Sequence, residues 1–430
     1  MFRLFCLLLT LASLPTRAED LLSVYQQVLN NNPELQAAQA SHNAALLGTD
    51  KARALLLPTA TLTANSSQNR QDSSLSTTGI NTFRNTDYSL SISQPVFHYD
   101  ALILRDQTND GITQSAARLA ATHQSIMLQT AERYFNLLSE KANLTFAQSE
   151  KKAIAKQLEQ ARKRFEVGLI AITDVHEAKA AYDLAVAAEI TAQNKLASAS
   201  EALTEITGTV NSHLISLGEN LPLVKPNPAD MNAWTQVASQ QNLQLKALRL
   251  ATEIARKEIR LQRSGHYPTL DLVASHNNSD TGGDFGRETT TNSIALKLKI
   301  PLYQGGLINA QTKEAAHLYS QAKYNQDKQH RSVLRQTRDA YRGVINGISQ
   351  VKALKQATLS ARSALETTQA GFDVGTRTIV DVLVAQQNLF RAKRDYTQAR
   401  YTYITDILKL KLSAGTLSLN DLKHFNQWLH

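Results

Sequence analysis

The residues best suited to chemistry in this 430-residue chain are poorly arranged for catalysis. Its 11 histidines are scattered, without a His-Glu-x-x-His pair or a close ligand cluster, so each reads as a surface or core residue and no metal site is expected. The serine-rich stretches lack a nucleophile elbow, and no glycine loop of the phosphate-cradling kind occurs. The chain is expected not to be an enzyme. What does recur is a short motif: residues 164–175 read RFEVGLIAITDV and residues 371–382 read GFDVGTRTIVDV. Its aspartates, Asp174 and Asp381, suit helix starts, where Asp is a favoured capping residue.

The elements that must position these motifs are themselves duplicated. Phe165, Val167, Gly168, Ile172, Asp174 and Val175 recur at Phe372, Val374, Gly375, Ile379, Asp381 and Val382, an offset of 207 that holds to Gly208 and Gly415. Asn32, Leu35, Pro58 and Leu62 recur 210 residues later at Asn242, Leu245, Pro268 and Leu272. Internal self-similarity of this kind defines the architecture before any local reading. Residues 19–208 form a first unit and 231–415 a second. Residues 209–230, marked by Pro222, Pro226 and Pro228, join them, and 416–430 close the chain. Each unit should hold a helix of about 35 residues (roughly 20–55 and 230–264), two strands around a polar loop, a very long helix, a turn carrying the motif and a further helix.

The helices carry heptads. Leu144, Ala147, Ile154, Leu158, Ala161 and Phe165 follow a 3-4 spacing interrupted by Lys151; beyond the turn Ala178, Tyr182, Ala185, Ala192, Leu196, Ala199 and Leu203 do the same, with Glu189 the exception. Such a seam seeks another helix, and its alanines imply close packing, antiparallel across the turn. A helix over 100–164 would be about 100 Å long, too long for a globular domain to bury. Tyr88, Leu90 and Ile92 alternate with serines, and Ile294, Leu296, Leu298 and Ile300 alternate with Ser293, Ala295, Lys297 and Lys299. One apolar and one polar face fits a half-buried sheet or a membrane barrel. The loops between, about 66–86 and 276–292, are rich in Ser, Thr, Asn, Asp and Gly.

Context favours the barrel. Arg3, the apolar run from Leu4 to Leu14 and a cut after Ala18 describe a secretory leader over residues 1–18, too short for a spanning helix. The one cysteine, Cys6, lies inside it, so the mature chain has no disulfide. Losing Arg3 and Arg17 takes the formal charge from +9 to +7, and the remaining basic residues are interleaved with acids, which is a solvated surface and not a nucleic-acid footprint. Four strands cannot close alone in lipid, and an open edge is not tolerated there. Two chains would give a side-chain-filled barrel, whereas three give twelve strands and a lumen. Phe97, Tyr99, Tyr267 and Tyr303 would form an interfacial aromatic belt.

The stretches VYQQ (24–27), NNPELQ (31–36), VGLIAITDV (167–175), PLYQGG (301–306) and VGTRTIVDV (374–382) resemble the TolC family of outer-membrane efflux and secretion channels, over essentially the whole mature chain. The resemblance implies a homotrimer: a shared 12-stranded transmembrane β-barrel in outer-membrane lipid, continued by an α-helical coiled-coil barrel in the periplasm, with 209–230 and 416–430 as equatorial segments. It implies a passive exit duct for drugs, detergents or secreted proteins, in a tripartite efflux pump or type I secretion system. No cofactor is implied. Partners would be a periplasmic adaptor (a membrane fusion protein) and, through it, an inner-membrane transporter of RND, ABC or MFS type, so energy comes from a partner.

By the same resemblance, the turns at Val167-Gly168 and Val374-Gly375 close the inner end and receive the adaptor. Thr173, Asp174, Phe372 and Arg377 hold the entrance shut, and Asp381 lines its narrowest ring. The chain departs from a close relative twice: Val384 stands where a second aspartate is expected, and Phe372 where a tyrosine would hydrogen-bond Asp174. A less anionic ring and a looser resting gate follow. A periplasmic coiled-coil adaptor or structural protein remains the alternative; it would share the heptads but has no need of the duplicated strands.

Overall fold

A computed structural model describes residues 19–72, 80–210, 213–218, 220–283 and 286–429. The expected leader and Cys6 lie outside the described residues. The order is α1 (Leu21–Asn31), α2 (Pro33–Leu46), α3 (Gly48–Ala54), β1 (Thr59–Asp72), β2 (Ile80–Phe97), α4 (Tyr99–Glu166), α5 (Ile172–Thr207), α6 (Met231–Gln241), α7 (Leu243–Arg263), β3 (Thr269–Thr281), β4 (Arg287–Lys299), α8 (Leu307–Asp373), α9 (Ile379–Ala414) and α10 (Leu419–Asn426). The chain divides into two compact units: Met1–Ala37 with Ala120–Asn242 and Arg331–His430, and Ala38–Leu119 with Leu243–His330. Among the described residues no helix is long and apolar enough to cross a membrane.

The first helix of each half is broken, where a single run of about 35 residues was expected. α1 stops at Asn32, whose side-chain oxygen accepts from Leu35 N–H at 3.1 Å and so caps α2. Pro33 occupies the first helical position, where its missing N–H costs nothing. α6 stops at Asn242, buried, with its amide donating to the Ser413 carbonyl at 2.9 Å.

The first unit is cored by Tyr134, Phe135, Val344, Tyr403, Ile404 and Leu408, packed on Leu21, Val24 and Val28 of α1. The joining segment is pinned to this core. Tyr134 donates to the Ile215 carbonyl at 2.7 Å, while Tyr403 accepts from Val224 N–H and donates to its carbonyl. Farther along α4 and α5, Ala147, Ile154, Leu158, Ala161, Ala178, Ala185, Ala192, Ala199 and Leu203 of the heptad seam are buried, while Phe165 is exposed. The two residues that interrupt the pattern meet: Lys151 forms an ion pair with Glu189.

In the second unit the four strands form one antiparallel sheet ordered β1-β2-β3-β4. Cross-strand rows sort the faces. Ala60, Ile92, Ala274 and Ile294 share one row, and Leu62, Leu90, His276 and Asn292 the next. Between them, on the other face, lie Thr61, Ser91, Ser275 and Ser293. The strands run far beyond the alternating stretches, and most of the two expected loops is β-ladder. Past the Ala64–Tyr88 pair both faces are polar but for Phe83 and Ile80, so the period-2 signal disappears while the backbone pairing continues. Pro95, which cannot donate to the ladder, coincides with a register shift between β2 and β3.

Candidate functional site

Both motif turns lie in the first unit, and their backbones are alike. After α4, Gly168 N–H donates to Phe165 O at 2.9 Å and Leu169 N–H to Arg164 O at 2.8 Å. After α8, Gly375 N–H donates to Phe372 O at 3.1 Å and Thr376 N–H to Gly371 O at 2.8 Å. Each is a Schellman stop, which needs a left-handed residue after the helix. Gly168 and Gly375 supply it, with φ of 75° and 82°. A Cβ at either would meet open space, so glycine is required by backbone conformation and not by room.

The helices that follow start differently. Thr378 caps α9: its hydroxyl accepts from Asp381 N–H at 3.2 Å, and the Asp381 carboxylate accepts from Thr378 N–H at 2.9 Å. The expectation that Asp381 caps the helix is thereby refined, because it is the third helical residue of a capping box whose cap is Thr378. These bonds, the backbone one foremost and aided by Arg377, hold its carboxyl below the usual carboxylate range. In the first copy Ala171 takes the cap position and Asp174 makes no such box. Val384, one turn beyond Asp381, is exposed.

Phe372 is buried against Ile154, Leu158, Ala161 and Ile379. Arg164 stacks over its ring, 4.3 Å from the centroid, donates to the Phe372 carbonyl at 3.3 Å and pairs with Asp373 at 3.4 Å. Arg164 therefore ties the two turns together within one chain. Its partner position in the second copy is Gly371, and a Cβ there would stand 2.8 Å from Cγ of Arg377, which folds over that spot. Among the described residues no hydrogen bond or ion pair joins Thr173 or Asp174 to Phe372 or Arg377 within a chain. The tips, meanwhile, expose apolar side chains: Val167 is 69%, Leu169 72% and Val374 76% exposed. Arg164 was overlooked in the sequence because it breaks the repeat; the mismatch of Arg164 with Gly371 is the signal that could have found it. Among the described residues no cluster of His, Cys, Asp or Glu could hold a metal ion.

Residues 24–209 and 234–416 match the family described as "Outer membrane efflux protein". The chain is 39% identical to Outer membrane protein TolC of Vibrio cholerae over 96% of its own length and 94% of that protein's. It is 29% identical to the alkaline protease secretion protein AprF of Pseudomonas aeruginosa, covering 94% of this chain and 86% of that one. Its fold is shared with the CmeC outer membrane channel of Campylobacter jejuni, at a TM-score of 0.81 and 16% identity over 96% of this chain and 91% of the other.

Proposed function

The chain belongs to the outer membrane efflux protein family, and from that membership we propose how its parts divide the work of an exit duct. It is a transport channel of the outer membrane extending into the periplasm, not an enzyme, and serves efflux and type I secretion. The observation that carries the reading is the sheet. One face exposes Leu62, Ile294 and Leu296 at 71%, 82% and 70%, the opposite face carries Thr61, Ser91, Ser275 and Ser293 in one row and Thr63, Ser89, Asn277 and Thr291 in the next, and strands β1 and β4 are the edges of the sheet. A bare apolar face is unfavourable in water and an open strand edge is unfavourable in lipid, whereas a lipid surround together with closure by further copies satisfies both. Three chains sharing a 12-stranded barrel meet that demand, with 19–208 and 231–415 as the two halves of each protomer.

The motif turns are the periplasmic gate. The apolar tips at Val167, Gly168, Val374 and Gly375 receive a periplasmic adaptor, which links the duct to an inner-membrane transporter. Thr173, Asp174 and Arg377 act between neighbouring chains, since they make no such bond within one. Arg–carboxylate contacts there are directional yet breakable. Asp381, ionised and held by its capping box, forms the entrance ring, and Val384 leaves that ring with a single carboxylate per chain. In outer-membrane extracts the protein is expected to run as a heat-modifiable trimer; recovery as a soluble periplasmic monomer would overturn the reading.

A further inference from the structure

The polar face of the sheet carries charge unevenly. At the end where the strands meet the helices, Lys297 stands opposite Asp271 and Lys299 opposite Thr269. Asp271 is the one carboxylate in these rows, so they carry two cations to one anion per chain; its Oδ1 lies 3.1 Å from Nε2 of His98. Asp100, in the first turn of α4, also faces His98, 3.6 Å from Nδ1. Both lysines are exposed, and no ion pair reaches either among the described residues. The next rows on this face, through Ser275 and Ser293 to Asn277 and Thr291, are uncharged. Farther out Asp87 and Arg287 add one charge of each sign.

Closure of the barrel does not neutralise the lysines. β4 is an edge strand, and the strand it would meet is β1 of the next copy. On its polar face β1 presents Thr59, Thr61, Thr63 and Asn65, with no carboxylate. We infer that Lys297 and Lys299 make the helix-side end of the barrel lumen an anion-attracting ring, which draws anionic solutes (inorganic anions, and organic acids or surfactants bearing carboxylate, sulfate or phosphate) into that end of the duct and offsets the carboxylate ring proposed at the entrance. This rests on the exit-duct reading, which places the polar face towards water. Rings of charged side chains select ions in this way, and low-dielectric walls strengthen their field.

The test is the reversal potential of the trimer in planar bilayers under a tenfold KCl gradient. Replacing both lysines (Lys297→Gln with Lys299→Gln) is expected to move the potassium-to-chloride permeability ratio towards cations by about threefold or more, given the weak screening expected near 0.1 M salt. The change should shrink near 1 M salt, where the Debye length falls to about 3 Å. Lys297→Arg should keep the original preference, and Lys297→Gln alone should give a smaller shift of the same sign if the double variant does not assemble. Channels of ordinary conductance with an unmoved reversal potential would overturn the lysine ring and leave the duct standing. A wild-type trimer that forms no channels would overturn both.

Discussion

Thr378 and Ala171 occupy the same position in the two copies and do different things. Thr378 closes a capping box with Asp381, whereas Ala171 offers no side-chain acceptor. Thr378→Ala should therefore destabilise the start of α9 by about 1 kcal/mol, and Ala171→Thr should firm the start of α5, both measurable as shifts in thermal unfolding. The Asp381 carboxyl is held below its usual range by the Thr378 backbone and hydroxyl. A depressed carboxylate contributes stability above its unfolded pKa and loses it only as pH falls through the folded value. The cap should thus survive mild acid, and gate conductance should be unchanged between about pH 7 and about pH 5 on this account. Arg164 is the other decisive side chain. Arg164→Ala removes the ring stacking, the bond to the Phe372 carbonyl and the pair with Asp373. Single-channel recording should show a higher resting conductance, with the trimer still assembled. Phe372→Tyr should lower it, if a hydroxyl there reaches Asp174 of a neighbouring chain; no change would count against the gate as proposed.

At the scale of elements, the coiled-coil seam and the sheet follow different rules. Lys151 and Glu189 interrupt two heptad patterns and satisfy each other. Either residue changed alone to leucine strands a charge in the seam, while changing both leaves an apolar contact. Thermal unfolding should show each single variant less stable than the double, a non-additivity expected for residues in contact. The sheet separates by face. Leu296→Arg puts a cation towards lipid, which costs about 2–4 kcal/mol near the bilayer midplane, and should deplete the trimer from the outer membrane. Thr61→Arg, on the opposite face, should be tolerated, as scored by the same heat-modifiable band. One of the two helix breaks was readable in principle: Asn32-Pro33 is a stop and a start in two residues, whereas Asn242 is followed by Leu243, which carries no such signal.

For the whole molecule, local pattern and tertiary pairing divide the outcome. Sequence alone determined the long helices, the apolar–polar alternation near each strand's helix end, the two glycine turns and the family, because each depends on residues close in the chain or on a motif repeated within it. The extent of the strands escaped it, since residues past Ala64 and Tyr88 are polar on both faces but for Phe83 and Ile80, and only the partner backbone shows that they are paired. The contact of Arg164 with Phe372, 208 positions apart, escaped it too. So did the pinning of the joining segment by Tyr134 and Tyr403. Such contacts have no period and no spacing; packing alone brings them together. The motif that could do chemistry divides the same way. Its glycines, its aspartates and the three-residue spacing of Thr378 and Asp381, with Ala171 in the threonine's place in the other copy, are local features of the sequence; that Arg164 of one turn closes over Phe372 of the other was decided by packing alone.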